Sequence, residues 1–180
     1  KTHTHTHTMA AASENVHAAF VFIKPHAVND KVQALVQERF ADQNITIVAE
    51  GHLDAQVIDE KKHIDVHYGA IANRAVRQQP ADLNVPAKAQ AAFEKAFGMT
   101  WESALEQNLV LNANGAAERL GLDGNGLEGL WRTLKKDVSL IKFGGGFYCG
   151  KLSDDKGEFF AINGLYLQMR SVFTTPPAAI

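Results

Sequence analysis

FVFIKPHAV, running from Phe20 to Val28, is the stretch that decides the fold. Its four apolar residues, Phe20 to Ile23, predict a core strand, and Lys24 with Pro25 ends it, because proline brings no N–H to a ladder. Behind it, VNDKVQALVQERFADQ has helical spacing, with Val32, Leu35, Val36 and Phe40 on one stripe. Asn29 or Asp30 can cap the start of that helix. A lysine leaving a strand toward a helix start is well placed for a phosphate, since unpaired N–H groups there also favour an anion. It is equally an ordinary solvated strand end with its stem packed on a sheet.

Working outward, NITIVAEGHLD predicts a second strand, with Ile45, Ile47 and Ala49 alternating against more polar neighbours. AQVIDEKKHIDVHYGAIANRAVRQQP reads as one or two helices closed by Pro80. This opening of strand, helix, strand, helix points to an α/β or α+β sheet domain. From Ala81 to about Val138 the residues look helical throughout, with Gly98 as a C-terminal cap. Thr100 starts another helix there, but Ser103 stands where a capping box needs glutamate. Phe93, Phe97, Trp101 and Trp131 are predicted to form a small core belonging to that segment. The last third returns to strand-like sequence. SLIKFGGGFYCGKL carries a glycine triplet, SDDKGE reads as a charged turn, and FFAINGLYLQMRSVF is compatible with strand or helix. The ending TTPPAAI reads as the approach to another element and suggests a fragment.

The chain has 180 residues, 46% hydrophobic and 21% charged, which suits one globular domain of ordinary size. A formal net charge of -2 argues against nucleic-acid binding through bulk charge. The single cysteine, Cys149, excludes an internal disulfide and fits a reducing, cytoplasmic compartment. No apolar run approaches membrane-spanning length, and no hydrophobic signal peptide precedes the first predicted strand. KTHTHTHT, residues 1 to 8, reads as an expression tag, with the domain proper running from Met9 to Ile180. Its His3, His5 and His7 would bind metal whatever the function.

Among residues that carry chemistry, His67 and Tyr68 are adjacent and would point about 100° apart on a helix. His63 and His67 share a helical face at i, i+4, but no third ligand is evident and no metal site is assigned. KFGGGFYCG is read as a bulged hairpin in preference to an RNA-binding sheet presenting Phe143, Phe147 and Tyr148. Cys149 beside it is read as a buried, inert thiol. His26 is a weak candidate nucleophile, with no orienting carboxylate in view.

FVFIKPHAV, VQALVQERFADQNITIVAEG and the His67-Tyr68 pair together resemble the nucleoside diphosphate kinase family. There the first strand ends in Lys-Pro-Asp-Gly-Val, matched here by Lys24-Pro25-His26-Ala27-Val28, and a later helix ends in His-Tyr. KGEFFAINGLYLQM looks like the family's Asp-Arg-Pro-Phe-Phe helix, with Phe159 and Phe160 at the aromatic positions. The resemblance implies a ferredoxin-like α/β sandwich, incomplete here, carrying a helical insertion over about 75–155. It implies that Lys24 contacts the transferred phosphate, that Tyr68 hydrogen-bonds near it and that Phe159 stacks on the base. Mg2+ would accompany an ATP-like nucleotide, the protein would form homo-oligomers, and the activity would be phosphoryl transfer from a nucleoside triphosphate to a diphosphate. The departures are specific. The family's phosphorylated histidine, in Asn-x-x-His-Gly-Ser-Asp, is not among these residues, so no catalytic residue is assigned. Gly157-Glu158 replaces Arg-Pro. A non-catalytic interaction module on the same fold, meeting a partner through the segment around Trp101 and Trp131, is the alternative.

Overall fold

The computed structural model describes residues 17–180. The predicted tag and the start at Met9 lie outside them. In chain order the elements are α1 (Asp30–Asp42), α2 (Ala55–Glu60), α3 (His63–His67), α4 (Gly69–Ala72), α5 (Ala87–Phe97), α6 (Trp101–Glu106), β1 (Val110–Asn112), α7 (Ala113–Leu120), α8 (Gly124–Trp131), β2 (Leu140–Gly144), β3 (Phe147–Asp154), β4 (Gly157–Ile162) and α9 (Tyr166–Thr174). A π-helical turn, Asn73–Arg77, follows α4. The described residues thus make a mixed α+β structure.

The sheet is not where the opening stretch predicts it. Its four strands run β1-β4-β3-β2, with β2-β3 and β3-β4 antiparallel and β1 parallel to β4. Three of them lie within residues 75–155, the segment expected to be a helical insertion. Their partner β4 is the stretch expected to be the Phe-Phe helix. That apolar run divides: Phe159 to Ile162 alternate in a strand buried on both faces, and α9 begins only after the Asn163-Gly164 break. Isolated β-branched and aromatic pairs decide for strand where both faces can be covered.

Both faces are covered. On one side Phe143, Phe147, Cys149, Phe160 and Ile162 meet Phe93 of α5 and Trp101 of α6. Phe93 is fully buried, with the Phe160 ring centroid 4.6 Å and the Trp101 centroid 5.3 Å away. On the other side Leu152, Phe159 and Ala161 meet α7, Trp131 of α8 and Tyr166 of α9. Trp131 and Trp101 therefore belong to opposite layers, which corrects the single small core expected for them.

Local chemistry sets the element ends. Thr100 Oγ1 accepts from the Ser103 N–H at 3.1 Å, and Gly98 closes α5 at φ 73°. The glycine triplet makes the expected bulged hairpin: the register shifts between Lys142 and Gly144, and Gly146 turns the chain at φ 59°. Asn163 pins this turn to its surroundings. Fully buried at φ 50°, its side chain accepts from the Tyr148 N–H at 2.8 Å and donates to the Gly146 and Ile71 carbonyls.

The predicted strands AAFVFIK (18–24) and NITIVAEGHLD (44–54) pair with no strand. Among the described residues, no backbone hydrogen bond reaches 17–23 or 46–52. The helix between them is correct, capped by Asn29 Oδ1 on the Val32 N–H, yet none of its residues is buried. The whole opening segment is held by a third, small cluster. There Phe22 and Leu53 pack on Ile58, Ile64, Phe173 and Ile180. Leu53 and Ile180 also exchange both backbone hydrogen bonds, at 2.9 and 3.0 Å.

Candidate functional site

Lys24 is extended, at φ -64° and ψ 149°, and its carbonyl accepts from the Ala27 N–H at 2.8 Å. Pro25 then opens a 3-10 turn over Pro25–Ala27, so the lysine does leave the extended segment where the sequence says it must. Its ammonium is exposed and has no ion-pair partner among the described residues.

Two residues earlier, Phe22 lies edge-on to His67 at 5.1 Å and to Phe173 at 6.0 Å. His67 in turn meets Tyr68 edge-on at 4.7 Å. Residues two apart in extended backbone share a side. The opening segment and the His-Tyr pair, more than 40 positions apart in sequence, are thus brought together at one junction. Tyr68 is half-buried at the break between α3 and α4.

Phe159 does not join them. It is fully buried in β4, and the Arg119 guanidinium covers its ring at 4.1 Å from the centroid. Arg119 is fixed there by a bidentate pair to Asp154, at 2.7 and 2.9 Å. As it stands, Phe159 offers no free face to a base. Phe143 and Phe147 are buried as well and Tyr148 half-buried, so the sheet presents no aromatic platform for RNA. Among the described residues no group of three or more His, Cys, Asp or Glu could hold a metal ion. Two shallow hollows, of about 200 and 250 Å³, lie beside α8, away from the junction.

Sequence reasoning missed a polar cluster beneath the junction. Asp65, 6% exposed, accepts from Tyr166 Oη at 2.7 Å and from Arg170 Nε at 3.0 Å. Arg170 also bonds Asp59, which pairs with Lys62 at 3.2 Å. Burial pushes the Asp65 carboxyl upward, but the bonds from Arg170 and Tyr166 outweigh it and leave it below its ordinary value. Asp59 is lowered too, chiefly by the Arg170 bond. Tyr166 is raised by burial and then by Asp65. Only the i, i+4 spacing of Tyr166 and Arg170 hinted at this; their partners lie over a hundred positions away.

Cys149 has the character expected of it. It is fully buried, and burial raises its thiol far above the ordinary range. A water-soluble disulfide reagent should leave the native protein unlabelled and titrate one thiol in denaturant; rapid native labelling would contradict this placement.

The fold and the junction define a mixed α+β protein with a two-sided four-stranded sheet and an opening segment docked on α3 and α9. No family model, no curated protein and no solved structure matches the chain. Among the described residues no helix is long and apolar enough to cross a membrane.

Proposed function

We propose that the chain is a nucleoside diphosphate kinase-like nucleotide-binding protein in which Lys24 takes the phosphate end of the ligand and Tyr68 hydrogen-bonds near it. The supporting observation is the packing of Phe22 on His67, which brings the extended segment that ends in Lys24-Pro25 against the His-Tyr pair. The Lys24 ammonium, exposed and without an ion-pair partner among the described residues, can meet a polyphosphate without first breaking an ion pair. Asp59 and Asp65 are committed to Arg170, so Mg2+ would arrive on the nucleotide's own phosphates. The finer fold, a ferredoxin-like sandwich of that family, belongs to the same proposal, as does phosphoryl transfer by a histidine outside these residues.

Titration with ADP and ATP tests the reading. Lys24→Ala should weaken binding about tenfold or more, the worth of a charge-assisted bond to phosphate. Tyr68→Phe should have a smaller effect in the same direction. An unmodified protein that binds neither nucleotide sinks the proposal.

The non-catalytic module is favoured by a different observation. Trp101 and Trp131 are buried and cannot be its contact surface, but Phe20, Val21, Leu35, Ile45, Ile47 and Val48 are exposed on the opening segment. Incubation of the natural full-length protein with γ-labelled ATP separates the readings: an acid-labile, base-stable phosphoprotein marks a kinase, and its absence marks the module.

A further inference from the structure

Residues 17–52 form an arm whose polar bonds stay within itself. The Ala27 N–H donates to the Lys24 carbonyl, Asn29 caps α1, and the Ile45 N–H donates to the Phe40 carbonyl at 2.8 Å. Gln37 Nε2 donates to Glu50 Oε1 at 3.1 Å, so the extended stretch after α1 is tied back to that helix. Among the described residues, no hydrogen bond and no ion pair joins 17–52 to 54–180. Helix α1 buries no residue. Two anchors remain. Toward one end the Phe22 ring lies edge-on to His67 and Phe173. At the other, Leu53 exchanges both backbone bonds with Ile180, and the antiparallel bridge from Asp54 to Ala179 continues them. Both anchors close over one small cluster, Ile58, Ile64 and Phe173.

We propose that the arm is a clip: its two anchors let go together, while the sheet and its two covering layers stay folded. The clusters on either face of the sheet contain no residue of the arm, so its release removes nothing from them. The anchors share their apolar seat, so lifting Phe22 wets the surface that Leu53 packs on, and the reverse. Elements held by few buried contacts open at the low end of a protein's range of local stability. The clip carries Lys24 with it. The Lys24-Pro25 turn and the His67-Tyr68 pair meet at one junction only while the clip is shut. A ligand that touches both Lys24 and Tyr68 therefore binds the closed form alone and draws the equilibrium toward it. The opening itself does not rest on the nucleotide reading.

Amide exchange in the full chain, followed residue by residue by NMR, tests this. Leu53 and Ile180 should exchange through one opening, with matching protection below that of the β3–β4 pairs. Phe22→Ser should cut the protection of Leu53 and Ile180 about tenfold, the scale of a partly buried aromatic, and leave the amides of β3 and β4 unchanged. Coupling between two sites is reciprocal. Leu53→Ala should thus shift the His67 ring protons, which lie against Phe22, toward their positions in Phe22→Ser. Unaltered protection at Leu53 and Ile180 in Phe22→Ser, or an unmoved His67 ring in Leu53→Ala, would mean that the anchors act separately, and overturns the proposal. So does a loss of protection in β3 and β4 in step with the arm, which would make the arm part of the global fold.

Discussion

Trp131→Ala is expected to destabilise the protein by about 3–5 kcal/mol, the range for emptying a large aromatic from a core. The indole is 6% exposed and is seated on backbone, not merely among side chains. A Cβ added at Gly164 would come within 2.5 Å of Trp131 Cε3, and one at Gly150 within 2.8 Å of Cζ3. The two glycines form a socket that joins β3 to the β4–α9 turn through one ring. Gly164→Ala should therefore also destabilise, by roughly 1–3 kcal/mol, through overpacking against a ring that cannot fold away. The double variant should cost less than the sum, because the new methyl enters the space the indole has left. Urea unfolding of the three variants reads all of this, and a Trp131→Ala loss below about 1 kcal/mol would refute the socket.

Asp65→Ala is the second large effect, at about 3–5 kcal/mol, since it strands a partly buried guanidinium and a buried hydroxyl together. Arg170 would keep only Asp59, and Tyr166 Oη would lose its acceptor. Tyr166→Phe removes a single bond and should cost about 1 kcal/mol. The pH dependence has a definite sign. Asp65 is held below its ordinary value in the folded protein, and Asp154, bonded by Arg119, is held at about 2. Groups lowered by folding stabilise fully above the unfolded carboxylate pKa of about 4, and that contribution drains away as pH falls through the folded value. Stability should thus fall in acid, and the gap between wild type and Asp65→Ala should narrow as Asp65 protonates. A gap that stays constant from neutral pH down to pH about 2 would mean the carboxylate charge contributes nothing.

Local features were legible in the sequence. The α1 helix and its Asn29 cap, the Gly98 and Thr100 ends, the bulged glycine hairpin and the inert Cys149 each follow from a few neighbouring residues. The sheet was not, and the reason is physical. FVFI and ITIVA have stronger strand composition than LVLN, but a strand is defined by its partner, and the partner of Val110 is Phe160, fifty positions away. Helical signals on either side of β1 masked it. For the candidate site, the Lys24-Pro25 break and the His67-Tyr68 pair were legible as motifs, whereas their meeting through Phe22 was not. Phe159 shows the opposite limit: a motif match says nothing of burial, and the ring is enclosed by Arg119.

The parallel pairing of β1 with β4 also governs when the sheet can exist. The β2-β3-β4 meander lies within 23 residues and can form as soon as it leaves the ribosome. β1, made earlier, must wait for residues Phe160 to Ile162 before any backbone partner exists. At synthesis rates of about 5–20 residues per second, that is an interval of several seconds. Closing a loop of about fifty residues then carries an entropic cost of roughly 3–4 kcal/mol, met only when both faces of β4 are covered. The nascent chain therefore carries α5, α6 and β1 as an apolar, unfinished half, and the last-made layer of the sheet determines whether the first-made one survives.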